Sequence, residues 1–154
     1  MRRLFSTLFV LSLTLLLLGC NSIEEQQAED LIENYYESLA KEDYETAFKE
    51  LFLYEEDFPD EQTSLSNAEA QTLYLEKINY LKGQNYKING FEITEVEYED
   101  GHSFWHHLNI EVEQDGETFY YNEQAFFHEG KLKVSGEDPY IHYRDGKMNV
   151  KLIK

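Results

Sequence analysis

The chain has 154 residues, with 31 acidic side chains against 13 basic ones and a formal net charge of −18. Nucleic-acid binding needs a basic face on the protein, so this charge balance argues against it. The balance also argues against electrostatic docking on anionic lipid, which would repel an acidic surface. Cys20 is the single cysteine, which excludes a disulfide framework and a thiolate zinc cluster. With 12 Tyr, 10 Phe and one Trp, the aromatic content favours a folded domain.

The first twenty residues have the order of a secretion signal. Arg2 and Arg3 precede an apolar run over residues 4–18. That run is shorter than the roughly 20 residues of a spanning helix, and a retained signal anchor is the alternative. The Leu17–Cys20 stretch resembles the cleavage box of bacterial lipoproteins, while the arginine pair also resembles part of a twin-arginine signal.

The lipoprotein resemblance implies a diacylglyceryl group on the Cys20 thiol, which becomes the first residue after cleavage. Two acyl chains anchor a protein stably where one does not. We therefore expect an extracytoplasmic protein, lipid-anchored to the bacterial cell membrane. Residues 1–19 are predicted to be the signal peptide, 20–27 a lipidated tether, and 28–154 a single α+β domain.

Apolar residues at helical spacing follow the tether and predict a pair of packed helices. Asp43 is the predicted N-cap of the second helix, because its carboxylate can accept from exposed backbone amides. The core of this helix pair is predicted to contain Leu31, Tyr35, Phe48 and Phe52.

A loop and a third helix are predicted next. Residues 55–63 contain Pro59 and five acids, which is typical of a loop. Ser66 and Glu69 have capping-box spacing, so a helix is expected over about 67–82.

From Tyr86 onward the apolar period changes to two, which predicts strands. Acid-glycine pairs between the alternating runs favour tight hairpins, and Gly90 predicts a β-bulge. Helices followed by an antiparallel sheet indicate an α+β fold. The predicted strands cover residues 86–98, 102–114, 117–128 and 131–136, with a last hairpin near 140–153.

Residues 31–39 (LIENYYESL) and 42–48 (EDYETAF) resemble the opening of nuclear-transport-factor-2-like, or cystatin-like, α+β domains. The later runs 114–117 and 129–135 are similar to hairpins of small secreted members. The resemblance implies N-terminal helices packed on a curved antiparallel sheet, forming a cone, here with an extra C-terminal hairpin. Some members are enzymes with a pocket in the cone and many only bind, so the fold does not determine the function.

The histidines provide the main candidates for chemistry. His106 and His107 are neighbours on a predicted strand, so they point to opposite faces and cannot easily share a metal. His106 lies on the apolar face, as a hydrogen-bonded core residue or a pocket base. Tyr36, His106 and Tyr120 are candidate lining residues of a cone pocket. We predict no catalytic residue, no metal and no cofactor.

Two further features have ordinary explanations beside functional ones. The acidic groups at 55–57 and 60–61 lack the ligand spacing of a calcium loop and are expected to form a solvated loop. Trp105 and His107 face away from the predicted core. They indicate either a partner surface or a second small core against the final hairpin.

Three function classes follow. The leading one is a non-enzymatic binding module held at the membrane by the lipid on Cys20, with an envelope protein or small ligand as partner and no nucleic acid. The alternatives are a small-molecule carrier and a pocket enzyme of isomerase or hydrolase type. A closed cone interior favours the first, and an open cavity with His106 beside a carboxylate favours an enzyme.

Overall fold

The computed structural model of the protein describes residues 23–99 and 103–150. In these residues three α-helices precede a four-stranded antiparallel sheet, and a small two-stranded sheet lies between the second and third helices. The protein is therefore α+β, as predicted. The helices are α1 (described over 23–40), α2 (Tyr44–Glu50) and α3 (Asn67–Gly83); the strands are β1 (Tyr54–Glu55), β2 (Phe58–Gln62), β3 (Tyr86–Glu99), β4 (Ser103–Gln114), β5 (Glu117–His128) and β6 (Lys131–Gly136).

Side-chain caps begin α2 and α3 where the sequence predicts them. The Asp43 carboxylate accepts a hydrogen bond from the Thr46 backbone N–H at 3.2 Å. Ser66 and Glu69 form the reciprocal capping box at the start of α3. Both caps satisfy amides that have no partner within the helix, so each helix start is determined locally.

The main sheet has the strand order β3-β4-β5-β6, and every neighbouring pair is antiparallel. Asp115-Gly116 joins β4 to β5 and Glu129-Gly130 joins β5 to β6, with positive φ at all four residues. Positive φ at both loop positions is the geometry of tight hairpins. The predicted bulge at Gly90 is confirmed by a register shift, and a second shift follows Ile93.

One face of this sheet, here called the inner face, packs against the helices. Ile110 of β4 is fully buried together with Ile32 and Tyr35 of α1. The predicted core positions Tyr35, Phe48 and Phe52 are buried, but Leu31 is only partly buried. Ile32 beside it is fully buried, so Leu31 lies at the margin of the buried stripe of α1.

The prediction of a C-terminal hairpin over 140–153 is wrong for residues 140–150, the part of it that the structure describes. Ile141–Tyr143 form a 3-10 helix, and residues 144–150 form no strand beyond one isolated bridge of Lys147 to Tyr54. This segment enters the interior instead of pairing with itself, because two of its charged side chains form buried ion pairs described below.

Residues 55–63 also differ from the predicted loop, since β1 and β2 form a short hairpin there. The Lys133 ammonium on β6 donates to the Pro59 carbonyl oxygen at 2.7 Å and to the Asp60 carboxylate at 3.0 Å. All five residues of β2 are exposed. A proline is tolerated on such a short edge strand, where its missing N–H faces solvent.

The predicted signal and the lipid attachment residue Cys20 lie outside the described residues. Residues 23–27, within the predicted tether, are helical and belong to the described part of α1. Within the described ranges, no helix is long and apolar enough to cross a membrane.

Candidate functional site

A buried ionic network occupies the interior between the sheet and the C-terminal segment, and Arg144 is its centre. Arg144 is fully buried and follows the 3-10 helix, while Glu123 extends from the inner face of β5 and Asp138 follows β6. Two guanidinium nitrogens of Arg144 contact the two Glu123 carboxylate oxygens, one of them at 3.1 Å. Nη2 also donates to Asp138 Oδ2 at 2.7 Å. This fork matches the two-oxygen geometry of a carboxylate, which a lysine cannot reproduce.

Tyrosine hydroxyls complete the hydrogen bonding of the two carboxylates. Tyr36 donates to Glu123 Oε2 at 2.7 Å, and Tyr86 donates to Asp138 Oδ2 at 2.6 Å. Burial and then the adjacent Glu123 raise the pKa of Tyr36 well above its usual range. The network contains one cation and two carboxylates, so one negative charge has no cation of its own. The two tyrosine hydroxyls donate hydrogen bonds to the carboxylates and so partly replace a second cation.

Lys77 of α3 makes a second buried ion pair with the same C-terminal segment. Its ammonium donates to Asp145 Oδ1 at 3.1 Å and to the Asp145 and Lys147 carbonyl oxygens at 2.9 and 2.7 Å. Three acceptors match its three protons. Burial lowers the pKa of Lys77 and Asp145 opposes that shift. The segment that carries Arg144 is thereby held on both sides.

Little empty space remains beside the network. The interior gap next to Arg144, bounded by Leu39, Ile78 and Tyr86, has a volume of about 10 Å³. One water molecule needs roughly 10–15 Å³ of such space. Among the described residues this gap therefore has no room for a substrate or a small ligand.

The three candidate lining residues do not form one site. Tyr36 is buried in the ionic network, and His106 is fully buried on the inner face of β4. Tyr120 is 62% exposed and its hydroxyl donates to Glu111 Oε2 at 3.4 Å, on the outer face of the sheet. Because strand neighbours alternate between faces, Tyr120 lies on the face opposite to the other two.

His106 is a core residue but lacks the hydrogen bond expected of it. Neither ring nitrogen has a partner among the described residues, and the nearest carboxylate oxygen, Glu29 Oε1, is 4.0 Å from Nε2. Its ring packs edge-on against Phe104, with the centroids 5.6 Å apart. Burial lowers the pKa of His106, and Glu25 only partly opposes the shift. This environment favours the neutral ring, which has no carboxylate within hydrogen-bond reach to orient it.

We predict that His106→Leu stabilises the fold by about 1 kcal/mol at pH 7, because it removes buried polar atoms that have no partner. The gain should grow as the pH falls below about 6.5, the usual pKa of an unfolded histidine. Below that pH the unfolded wild-type chain binds a proton more readily than the folded chain, whose His106 has a lowered pKa, so wild-type stability decreases. Urea denaturation at pH 5, 6 and 7 measures this difference, and a pH-independent gain would contradict the assignment.

The outer face of the sheet carries a mixed aromatic and polar surface. Trp105 stacks on Phe126 with ring centroids 4.6 Å apart, and both are partly buried. His107 Nε2 lies 2.9 Å from a Glu97 carboxylate oxygen. Beside this pair an open groove of about 430 Å³ is bounded by residues of all four strands and the segment after β6: Thr94, Glu95, His107, Asn122, Gln124, Gly136 and Glu137.

Sequence reasoning missed Arg144, Glu123 and Asp138. Glu123 had a detectable signal, since it occupies an inward position of the β5 alternation, directly before Ala125 on the same face. A charged residue at such a position indicates a buried partner. Arg144 gave no comparable signal, because the irregular segment around it has no period.

Together, the fold and the site define an α+β domain whose described interior is an apolar core with a buried ionic network beside it. Comparison of the chain with protein-family models, curated protein sequences and solved structures found no match. In the described part of the chain no group of three or more His, Cys, Asp or Glu side chains could hold a metal ion.

Proposed function

We propose that this protein is a membrane-anchored extracytoplasmic lipoprotein that acts as a non-enzymatic binding module. The observation that carries the proposal is the filled interior, where Arg144, Glu123 and Asp138 occupy the space that a pocket would need. Binding must then use the outside of the domain. The Leu17–Cys20 stretch supports the anchoring part of the proposal, because it has the order of a lipoprotein cleavage box.

The domain is proposed to be a variant of the nuclear-transport-factor-2-like cone. Helices packed on one face of a four-stranded antiparallel sheet support this assignment, as do the two register shifts that bend β3. The C-terminal segment closes the interior of this proposed cone. Its Arg144 lies between β5 and α1, because it donates to Glu123 of β5 and its carbonyl oxygen accepts from the Tyr35 hydroxyl of α1.

The two alternative functions receive less support. A carrier needs a cavity of about 300–1,000 Å³ that buries most of its ligand, whereas the interior gap is about 10 Å³. A pocket enzyme needs a base near a polar partner and a path to its substrate. His106 is fully buried, and no carboxylate in the described chain lies within hydrogen-bond distance of it.

The partner class is proposed to be an envelope protein. The outer face offers the Trp105–Phe126 stack beside the open groove, and aromatic side chains are common anchors of protein interfaces. The chain has 31 acidic residues against 13 basic ones, and this balance argues against nucleic acid as a partner.

We predict that Cys20→Ser moves the protein from the membrane fraction to a soluble or unprocessed pool, because the mutated residue cannot carry the thioether-linked lipid. Fractionation and labelling with a radioactive fatty acid measure the change in the full chain. Ser22→Ala is the matched control and should remain in the membrane fraction. Acyl labelling that persists in Cys20→Ser would refute the anchoring proposal.

A measured turnover abolished by His106→Ala, with the fold intact, would refute the binding-module proposal.

A further inference from the structure

The open groove on the outer face of the sheet, here called the outer groove, has acidic and amide side chains along its walls. Its volume is about 430 Å³, and no lysine or arginine is among the described residues that bound it. Glu95 of β3 and Glu137 after β6 lie at its two sides. Neither carboxylate forms an ion pair with any residue that the structure describes. The groove therefore carries negative charge that the described chain does not neutralise.

The strand register shows where a cation is missing on this face. Pairing arranges outer-face residues in three rows across the sheet, each read from β3 to β6 or to the residue just after it. The first row is Glu97, Trp105, Phe126 and Lys133; the second is Glu95, His107, Gln124 and Ser135; the third is Glu92, Asn109, Asn122 and Glu137. Every row begins with a glutamate, but only the first ends with a lysine. Residues of the second and third rows bound the outer groove, and these two rows have no basic member.

Lys133 shows how the outer face holds a cation in the first row. Its ammonium lies 5.8 Å from the ring centroid of Phe52 and 5.3 Å from that of Tyr54. It also forms an ion pair with the Asp60 carboxylate at 3.0 Å, and the lysine side chain is only 19% exposed. Aromatic rings and a carboxylate both stabilise a cation placed between them. The second and third rows have the carboxylates for such a contact but lack the cation.

Hydrogen bonds among the groove residues leave acceptors available. His107 Nε2 lies 2.9 Å from a Glu97 carboxylate oxygen, and because an ionised carboxylate only accepts, this nitrogen carries the proton. In the neutral ring Nδ1 is then an acceptor, and Gln124 Nε2 donates to it at 3.5 Å. Asn122 Nδ2 donates to the Glu137 carboxylate at 3.2 Å. Both amides direct their nitrogen to a neighbour, so their oxygens are left as acceptors within the described part of the groove.

The chemistry of the ligand follows from this surplus of acceptors and negative charge. A guanidinium group has five N–H donors in one plane, is always charged, and can bond a carboxylate through two of them, whereas an ammonium has three donors. The net charge of −18 also attracts a cationic ligand before contact. A metal ion is the less suitable occupant, because no group of three or more His, Cys, Asp or Glu side chains in residues 23–99 and 103–150 could hold one.

We propose that the outer groove binds an arginine side chain of the envelope protein partner. The guanidinium lies between the carboxylates of Glu95 and Glu137 and donates to the amide oxygens of the second and third rows. It supplies to these rows the cation that Lys133 supplies to the first. This inference rests on the proposed binding role and adds the chemistry by which the partner is recognised.

Tryptophan fluorescence of the full chain in nanodiscs of neutral phosphatidylcholine tests the proposal. Trp105 is the only tryptophan in the chain and lies one row from the groove, so its emission reports binding there. The probe is a capped glycine-arginine-glycine peptide, and the matched control peptide has citrulline, which has nearly the same shape without the charge. We expect a saturable change with the arginine peptide, weaker binding of the corresponding lysine peptide, and no change with the citrulline peptide.

Two substitutions assign the response to the groove. Glu95→Gln and Glu137→Gln should each raise the Kd of the arginine peptide about threefold, and the double variant about tenfold, as expected for partly solvated ion pairs. Glu33→Gln is the matched control, because it removes the same charge from an exposed position on α1 and should leave the Kd unchanged. Melting curves of the variants check that the fold is intact.

Four results would overturn the proposal: no saturable response to the arginine peptide, equal binding of the lysine or citrulline peptide, an unchanged Kd in the double variant, or a saturable response to calcium chloride alone that the double variant loses. None of these results concerns the lipid on Cys20 or a turnover that depends on His106. Those two experiments test the proposed function separately, so a failure of the arginine assignment is distinguishable from a failure of the binding-module proposal.

Discussion

Arg144→Ala is expected to destabilise the fold by about 3–5 kcal/mol. The substitution leaves the Glu123 and Asp138 carboxylates buried without their cation, and breaking a buried ion pair on one side costs about that much. A domain of this size is stable by only about 5–15 kcal/mol in total. Urea denaturation followed by circular dichroism measures the loss, and Arg144→Lys should recover little of it because an ammonium cannot form the bidentate contact.

Two controls separate this buried network from ordinary ion pairing. Lys41→Ala breaks the pair of Lys41 with Glu37, whose side chains are 69% and 56% exposed, and should cost less than about 1 kcal/mol. Combining Arg144→Met with Glu123→Gln and Asp138→Asn removes the charges together and should recover much of the lost stability. If the Arg144 variant unfolds no more easily than the Lys41 variant, the network does not stabilise the core.

Local signals explain why the helices and the sheet could be predicted from the sequence. The capping box at Ser66 and Glu69 determines the start of α3 within four residues, and Asp115-Gly116 determines the register of β4 and β5 through its positive φ. Each of these features depends on contacts between near neighbours in the chain. Periodicity then assigns the buried face, as it does for Ile110 between the outward-facing Asn109 and Glu111.

The C-terminal segment could not be predicted because its conformation depends on distant contacts. Asp145-Gly146 has the composition of a hairpin turn, yet Gly146 packs against the backbone of Phe52, where a Cβ would overlap the carbonyl oxygen. The Gly146 carbonyl oxygen also accepts from the Tyr54 N–H at 3.0 Å. The glycine is needed there for close approach rather than for a turn. Composition alone does not separate these two uses.

The candidate site shows the same division between local and distant signals. The inward position of Glu123 is readable from strand alternation, and the burial of Tyr36 follows from the helical stripe of α1. Tyr36 contacts Glu123 across 87 positions of the chain, and Glu123 contacts Arg144 across 21. A period of two or 3.6 residues carries no information about such a pairing, so the filled interior is visible only in the structure.

The buried ionic network opposes the opening of a pocket in the interior. Arg144 is held by Glu123 and Asp138, and its own carbonyl oxygen accepts the Tyr35 hydroxyl at 2.8 Å. Opening a pocket here would leave several buried polar groups without partners, at about 1–3 kcal/mol each. We infer that the interior is a fixed structural unit, and that the sheet surface and its edges are the parts available to partners.

The second large effect is expected from the apolar half of the same core, where Phe48→Ala should cost about 3–5 kcal/mol. Phe48 of α2 is 3% exposed and packs on Tyr74 of α3, with ring centroids 5.4 Å apart. Truncation removes the contact of these two rings and leaves a cavity into which the surrounding side chains relax only in part.

Phe58→Ala makes the same chemical change at a residue that is 57% exposed on the β1–β2 hairpin, and should change stability by about 0.5 kcal/mol or less. Thermal melts of the two variants, measured side by side, compare burial with surface exposure directly. A marked loss for Phe48→Ala alone is expected, because the free energy depends on the area removed from water and the cavity created. Equal melting temperatures would mean that α2 is not packed on α3, and the buried position of Phe48 would then have to be rejected.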